Sequence, residues 1–401
     1  MHLMCGIAGI FKLDDNYVND KELKLLTESL NHRGPDNTAI YIEKNKKLGL
    51  GHTRTAILDT SQFGHQPMSY EDERYWISFN GAIYNFIEIK KELESLGKKF
   101  VSNSDTEVIL AAYSHWGEEC VYKFNGDWAF AIWDNKEKNL FLSCDRFSTK
   151  NLYYLKKKNY FIFASELKSF MSLNEMHKPD FDNGYFAWLG KNNGCQNTFF
   201  KNVFSLLGGH QININQKNII KFKKWWSTKD NLVQIPKKYE DQVSQFKEIF
   251  SNACKIRLRS DVPIASSLSG GVDSSSIVTT ISKLLENKNE RQYENKQNVF
   301  ICDFVGDNTS EKKFAENVIK DKNITPFFLD ILPSSIDYDE LIKASFHQEL
   351  IEEPAIGPWL IYKNIRNSGI RVSIEGHSAD ESLAGYAPYI DQLAIDTLSL
   401  F

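Results

Sequence analysis

One short stretch, Leu268-Ser269-Gly270-Gly271-Val272-Asp273-Ser274-Ser275, limits the fold of this chain more than any other feature. It follows an apolar run, Val262–Leu268, and opens a helical pattern, Ser274–Leu285. Paired glycines there allow close backbone approach, and a helix N-terminus offers free N–H groups to an anion. Ser269, Ser274 and Ser275 add hydroxyl donors. Asp273 would repel a bare phosphate but can hold a Mg²⁺ ion that bridges to one. No Gly-Lys-Ser/Thr follows, so the loop is not a Walker A motif. The bland alternative is a plain strand-to-helix turn capped by Asp or Ser.

The alternation continues downstream. Asn298–Val305, Pro326–Ile331 and Arg371–Glu375 read as strands, and Asp241–Leu258, Glu311–Lys320 and Pro358–Asn367 as helices. Such alternation implies a parallel, doubly wound sheet. Glu286–Gln297 reads as a charged, Asn-rich surface insertion. The first half has another rhythm. Short strands at Cys5–Leu13, Thr38–Glu43, Lys47–His52, Tyr75–Asn80, Trp128–Trp133, Leu140–Cys144, Leu152–Leu155 and Tyr160–Ala164 are interrupted by helices at Asp20–Leu30, Phe86–Leu96 and Asp105–Trp116. Asn80-Gly81 reads as a turn that ends its strand. This is an α+β pattern with mostly antiparallel strands. The stretch from Asn174 to Trp226 is less regular, with a strand-like Gln211–Asn215.

Composition excludes several classes. Lys and Arg number 48 against 52 Asp and Glu, so the basic excess of a dedicated nucleic-acid binder is missing. The apolar runs fall short of the roughly 18 residues of a membrane span. The six cysteines, Cys5, Cys120, Cys144, Cys195, Cys254 and Cys302, form no CxxC pair, so neither a zinc knuckle nor a redox pair is supported. Their scatter suits a reducing, cytoplasmic compartment. The N-terminus lacks a basic segment and a cleavage site, so a signal peptide is not expected.

If the chain starts at Met4 and that residue is removed, Cys5 carries a free α-amine. Such an amine is partly neutral near pH 8 and can take the thiol proton, so one residue supplies nucleophile and base. Taken alone, Cys5 reads as a small buried hydrophobe. Other residues change that weighting. Cys5-Gly6-Ile7-Ala8-Gly9, Arg33-Gly34-Pro35-Asp36, Gly51-His52-Thr53-Arg54, Asn80-Gly81-Ala82-Ile83-Tyr84-Asn85 and Ser104-Asp105-Thr106-Glu107 together resemble an N-terminal-nucleophile glutamine amidotransferase domain. With the Leu268–Ser275 loop and Gly376-His377-Ser378-Ala379-Asp380-Glu381 before Gly385-Tyr386, the chain resembles the glutamine-hydrolysing asparagine synthetases from Met4 to about Tyr386.

That resemblance implies an α+β N-terminal-nucleophile hydrolase, an αββα sandwich, over 4–210. A linker over 211–240 and an α/β pyrophosphatase-loop (PP-loop) domain with a parallel sheet, C-terminally shortened, over 241–401 would follow. It also implies roles. Cys5 would attack the glutamine amide while Asn80 and the Gly81 N–H stabilise the oxyanion. Arg54 would clamp the α-carboxylate and Asp105 the α-ammonium. In isolation these two read as a surface ion pair and a helix N-cap. Ser269, Gly270, Gly271, Asp273 and Ser274 would cradle the pyrophosphate portion of ATP with Mg²⁺. Leu268, Cys302, Glu375 and Gly376 would contact the nucleotide, and Asp380 would share the metal with Asp273. His377 and Glu381 would position an acyl-adenylate. Glutamine, aspartate and ATP are the implied small molecules, without nucleic acid or membrane, and a homodimer is compatible.

Four departures qualify the resemblance. Met1-His2-Leu3 precede the usual Met-Cys, so a start at Met4 is the simpler expectation. Ala82 replaces the carboxylate of the usual Asn-Gly-Glu, which leaves Asp105 as the main partner for the ammonium. His377 and Ser378 stand where the family has an acidic or amide residue and a glycine, which leaves the acceptor carboxylate open. Family members continue through a long helical segment, so a chain ending at Phe401 is expected to be a fragment or to have an impaired synthetase half. Two alternatives therefore stay open: a related amidotransferase acting on a sugar or peptide carboxylate, and a shortened paralogue with glutaminase or binding activity only.

Overall fold

The computed structural model describes residues 4–173, 178–180, 196–215, 217, 219–286, 291–293, 296–305, 310–320, 323–332, 334, 336–349 and 356–398. Met1-His2-Leu3, Cys195, Phe401, much of the irregular stretch after Asn174 and the middle of the Glu286–Gln297 insertion lie outside them. The chain divides into two compact units, Met1–Gln242 with Ile342–Ala355, and Val243–Leu341 with Ile356–Phe401.

The first unit runs β1 (Gly6–Lys12), α1 (Asp20–Glu28), β2 (Asn37–Ile42), β3 (Leu48–Arg54), β4 (Met68–Tyr70), β5 (Tyr75–Ile83), α2 (Phe86–Ser95), α3 (Asp105–Trp116), β6 (Gly126–Asp134), β7 (Asn139–Cys144), β8 (Tyr153–Lys156), β9 (Tyr160–Ala164), β10 (Val203–Ser205), β11 (His210–Ile214) and β12 (Ile220–Lys224). Its strands form two six-stranded sheets, ordered β10-β8-β9-β1-β3-β2 and β12-β11-β7-β6-β5-β4. The described pairings in both are antiparallel.

Strand alternation assigns each face. In β6, Trp128, Phe130 and Ile132 join a core with Ile89 and Leu93 of α2 and Val108 to Ala112 of α3. Ala129, Ala131 and Trp133 turn the other way and meet Ile7 and Phe11 of β1 and Phe161 and Phe163 of β9. Leu23 and Leu26 of α1 cover the far face of the first sheet beside Ala8, Ile10 and Ile162. The result is the expected αββα sandwich. Each fully buried large side chain contributes about 1.5–3 kcal/mol, so three such cores hold the sheets rigidly.

Part of the expected linker, 211–240, instead completes the second sheet. β11 pairs with β7 and β12 with β11. The indole of Trp225 stacks on Trp128 with centroids 5.6 Å apart and donates from Nε1 to the Cys144 carbonyl at 3.3 Å. Alternating Ile212 and Ile214 made burial of this stretch favourable, and the first unit accordingly extends past 210.

The second unit carries α4 (Tyr239–Arg257), which starts at its border, β13 (Ile264–Ser267), α5 (Val272–Leu285), β14 (Gln297–Phe304), α6 (Lys312–Ile319), β15 (Ile324–Ile331), α7 (Tyr338–Gln348, whose last turns group with the first unit), α8 (Ile356–Asn367), β16 (Val372–Ser373), α9 (Ala379–Leu383) and α10 (Pro388–Leu398). Its sheet is parallel, ordered β15-β14-β13-β16. The chain moves outward from β13 through β14 to β15, then returns to the other side of β13 for β16. The switch point therefore lies between β13 and β16, where the loops at their C-terminal ends diverge and open a crevice.

Candidate active sites

Cys5 immediately precedes β1, whose Gly6 faces Thr53 of β3. Its Sγ accepts from the Thr55 N–H at 3.4 Å and lies 3.6 Å from the Thr55 carbonyl. Arg33 donates from Nε to the Cys5 carbonyl at 3.0 Å and from Nη1 to Glu166 at 2.8 Å. His32 and Lys168 also meet Glu166, at 3.0 and 2.8 Å. Burial alone would raise the Glu166 carboxyl, but the His32 hydrogen bond and the charges of Arg33, His32 and Lys168 bring it down to about 2. Burial pushes the Cys5 thiol up, while the Thr55 N–H, Arg54 and Arg33 act the other way. A thiol kept neutral by burial needs a base before it can attack.

Arg54, the last residue of β3, is 4% exposed and not a surface ion pair. Its guanidinium donates to the carbonyls of Ser61 (2.9 Å), Leu58 (3.4 Å) and Asp59. This fixes its plane beside the thiol, whose charge it senses. Asp105 begins α3 and is not the cap. Ser104 holds the cap position and accepts from Thr106 N at 3.1 Å. Asp105 instead accepts from Ile83 N at 2.9 Å, tying α3 to the end of β5. The Cys5 thiol senses Arg54, Arg33 and Asp105 together.

Asn80 and Gly81 do not form the expected turn. β5 runs through them to Ile83, each residue paired across to β6. Gly81 takes a φ of 154°, and a Cβ there would fall 2.1 Å from the Asp127 carbonyl, so only glycine fits. Asn80 is 1% exposed, and its Nδ2 has no hydrogen-bond partner among the described residues. The preceding residue is held from both sides: Gln66 Oε1 accepts from Phe79 N at 2.7 Å, and His52 Nε2 lies 3.0 Å from Phe79 O. Burial pushes the fully enclosed His52 down to about 3, so the ring is neutral and Nε2 donates. A buried donor without a partner, on a strand clamped in this way, is the condition expected of a group awaiting an oxyanion.

In the second unit, the Leu268–Ser274 loop and the 375–381 loop line one cavity of about 920 Å³ at the switch point. Its walls include Leu268, Ser269, Gly271, Asp273 and Ser274 from one side, Cys302 from β14, and Glu375, Gly376, His377, Asp380 and Glu381 from the other. Gly270 does not line it. Its φ of 95° shapes the turn, and a Cβ would come within 2.6 Å of Phe314 Cβ. Ser269 and Ser274 link hydroxyl to hydroxyl at 3.0 Å, and Ser269 Oγ accepts from Gly271 N at 3.1 Å. No side chain caps α5, and its first residues, Val272, Asp273 and Ser274, line the cavity. Glu375 ties the two strand ends together, accepting from Ser267 N at 3.3 Å and Ser267 Oγ at 3.0 Å.

Similarity to known proteins agrees with this geometry. The glutamine amidotransferase domain family matches residues 4–226 and the asparagine synthase family residues 245–399. A Methanocaldococcus jannaschii protein, assigned by its name to the glutamine-hydrolysing asparagine synthetases, is 32% identical over 98% of this chain and 78% of its own length. The chain belongs to the glutamine-hydrolysing asparagine synthetase family. Asparagine synthetase (glutamine-hydrolyzing) 1 of Bacillus subtilis is 31% identical over 98% of this chain and 60% of its own length. Amidase chry2 of Gibberella zeae is 28% identical over 94% of this chain and 57% of its own length. The chain thus spans less than two thirds of the last two relatives.

Within the family frame, sequence reasoning missed several groups that hold the nucleophile. Thr55, which bonds the Cys5 sulfur, and Glu166, which holds Arg33 against the Cys5 carbonyl, carry no motif of their own, because they come from distant parts of the chain. His52 and Arg33 lay in quoted motifs without a role. A His inside an apolar strand was the one signal available, since a buried imidazole needs a partner.

Proposed function

We propose that this chain is a glutamine-dependent amide ligase that converts aspartate to asparagine, with glutamine hydrolysed in the first unit and ATP consumed in the second. The observation that carries the reading is the gathering of both nucleotide-loop segments around one cavity at the switch point of a parallel sheet. The Cys5 thiol, deprotonated by its own α-amine once residues 1–4 are removed, attacks the amide carbon of glutamine. Asn80 Nδ2 and the Gly81 N–H receive the oxyanion, Arg54 and Asp105 hold the α-carboxylate and α-ammonium, and ammonia leaves with the transferred proton. Water then releases glutamate from the thioester. In the second cavity the aspartate side-chain carboxylate attacks the α-phosphorus of ATP and pyrophosphate leaves. Ammonia displaces AMP from the acyl-adenylate that His377 and Glu381 position.

Ser269, Gly270, Gly271 and Ser274 cradle the phosphates in this reading, and Leu268, Cys302, Glu375 and Gly376 border the nucleoside. Asp273 and Asp380 share the cavity, and two carboxylates suit Mg²⁺, which takes its other ligands from phosphates and water. Bound there, the ion would neutralise phosphate charge. The described residues contain no helix long and apolar enough to cross a membrane, and the five described cysteines are free, which supports a cytoplasmic setting. A homodimer fits this reading equally well.

A second reading rests on His377, which lines the cavity where the family has an acid or amide: the acceptor is then another carboxylate, of a sugar or peptide. Incubation of protein starting at Met4 with glutamine, ATP and a panel of carboxylates separates the two. Aspartate-dependent pyrophosphate with asparagine supports the first. Pyrophosphate with another acceptor supports the second. Glutamate release without any pyrophosphate leaves a glutaminase alone.

A further inference from the structure

Arg33 and Thr55 grip Cys5 at two points. Arg33 donates from Nε to the Cys5 carbonyl at 3.0 Å, and the Thr55 N–H reaches the sulfur at 3.4 Å. The two also hold each other, since Thr55 Oγ1 donates to the Arg33 carbonyl at 2.7 Å. Gly34 permits this close approach, because a Cβ there would fall 2.4 Å from the Arg54 backbone nitrogen. Thr55 is buried, and the N–H of the next residue, Ala56, is tied to Asp36 at 2.8 Å. Its hydroxyl is therefore carried on fixed backbone.

The Arg33 carbonyl takes a second donor, the Met4 N–H at 3.1 Å. A carbonyl oxygen has two lone pairs, so both are filled while residue 4 is present. Removal of residues 1–4 takes the Met4 N–H away and leaves that carbonyl half satisfied. The same step gives Cys5 an α-amine, whose N–H groups need acceptors and whose lone pair has to face the sulfur. Thr55 Oγ1 makes no other hydrogen bond among the described residues, so its own lone pairs stay open. We propose that Thr55 is a positioning residue of the mature N-terminus: its hydroxyl oxygen and the vacated Arg33 carbonyl accept the N–H groups of the Cys5 α-amine and turn the amine's lone pair toward the sulfur. In the reaction the S–H bond breaks and an N–H bond forms. Thr55 keeps its own proton, which stays hydrogen-bonded to the Arg33 carbonyl. The role rests on the reading of Cys5 as nucleophile with its amine as base.

The charged groups facing residue 5 are Arg33, Arg54, Asp105 and Lys150. All four stay in place when Thr55 is changed, so a difference between Thr55 variants reports the hydroxyl. The test titrates the α-amine in the full chain started at Met4, with that methionine removed. Cys5→Ser protein, which has no thiol to compete, is acetylated with a trace of acetic anhydride from pH 5 to 10. Mass spectrometry of the N-terminal peptide then gives the midpoint. Adding Thr55→Val is expected to lower it by about one-half to one pH unit, because loss of an acceptor disfavours the ammonium. Thr55→Ser is expected to keep the midpoint of the parent. With Cys5 present, Thr55→Val is expected to lower glutaminase kcat by about tenfold at unchanged KM, and Thr55→Ser to recover it.

Folded Thr55→Val protein with an unchanged or raised midpoint overturns the proposal, and so does a Thr55→Ser midpoint as low as that of Thr55→Val. If Thr55→Val does not fold, Thr55→Ala makes the same test and is read in the same way. Glutamate release by the unmutated chain separates this from the parent reading. A lowered midpoint where that chain releases no glutamate supports the role at the amine while sinking the glutaminase. An unchanged midpoint where it does release glutamate leaves the glutaminase standing and removes Thr55 from it.

Discussion

The two candidate sites are held by different means. Around Cys5, the residues lie on strands or at their ends and beside a helix start, and most are held by buried partners, Asn80 Nδ2 and His52 Nδ1 excepted. Arg54 grips three carbonyls, Glu166 gathers Arg33, Lys168 and His32, and His52 and Gln66 clamp the residue before Asn80. Around Gly270, loops supply the residues. Val272 is 81% exposed, and Ser269 and Ser274 bond mainly to each other. The contrast fits the chemistry. Thiol attack on an amide needs a preorganised, water-poor oxyanion pocket. A triphosphate brings its own charge and its own cation, and it can order a loop that donates N–H groups.

The sharpest break between the sites is Cys5→Ala. It should remove glutamine hydrolysis by at least about a thousandfold, as loss of a covalent nucleophile does. Pyrophosphate release with added ammonia should continue at the unmutated rate. Parallel loss of both, in protein that still folds, contradicts two independently built sites.

A pH scan of thermal unfolding sharpens the comparison next. His52 is depressed from 6.5 to about 3 because burial disfavours its charge. The unfolded chain therefore takes up a proton below pH 6.5 that the folded chain refuses. Stability from this group is complete above pH 6.5 and is lost as the pH falls toward 3, by roughly 5 kcal/mol at most. Glu166 adds a smaller loss between pH 4.5 and about 2. The first unit's transition should fall through this window and the second unit's much less. His52→Gln should flatten the upper part of the curve, and a curve unchanged by that substitution argues against a neutral buried imidazole.

Asn80→Ala should lower glutaminase kcat by about a hundredfold with little change in KM, since the proposed reaction uses the unpaired amide only in the transition state. A change confined to KM would make Asn80 a substrate clamp. The mildest expected effect is Gly270→Ala. Its φ of 95° and the 2.6 Å approach to Phe314 cost about 1–3 kcal/mol, which should raise KM for ATP by about tenfold and leave glutamine hydrolysis alone.

Much of this was legible in the sequence, for local reasons. Helix α3 begins and ends where Asp105 and Trp116 predicted, and β9 spans the expected Tyr160–Ala164. The Leu268–Ser274 loop sits between strand and helix as its glycines require. What failed was tertiary. Asn80-Gly81 carries a turn signature, but pairing to β6 extends the strand through it, because Gly81 lets β5 pass the Asp127 carbonyl. Ile220–Lys224 looked like linker because its residues are mostly polar and exposed, yet its backbone completes a sheet edge. The helices Tyr338–Gln348 and Pro388–Leu398 were not anticipated. In the second, Ile390, Leu393 and Ile395 stay exposed, so no clear apolar face marked it. Arg54 and Asp105 read in isolation as a surface pair and a cap, and only the fold buries them beside Cys5.

In the proposed reaction the second cavity activates a carboxylate at the α-phosphorus of ATP, and ammonia released from glutamine completes the amide. The most direct measurement uses aspartate labelled with ¹⁸O in its side-chain carboxylate, together with glutamine and ATP. Attack on the α-phosphorus followed by ammonia leaves one carboxylate oxygen on the nucleotide. Label is therefore predicted in AMP, in step with asparagine and pyrophosphate. Label in inorganic phosphate with ADP as product, or unlabelled AMP beside asparagine, would contradict the account.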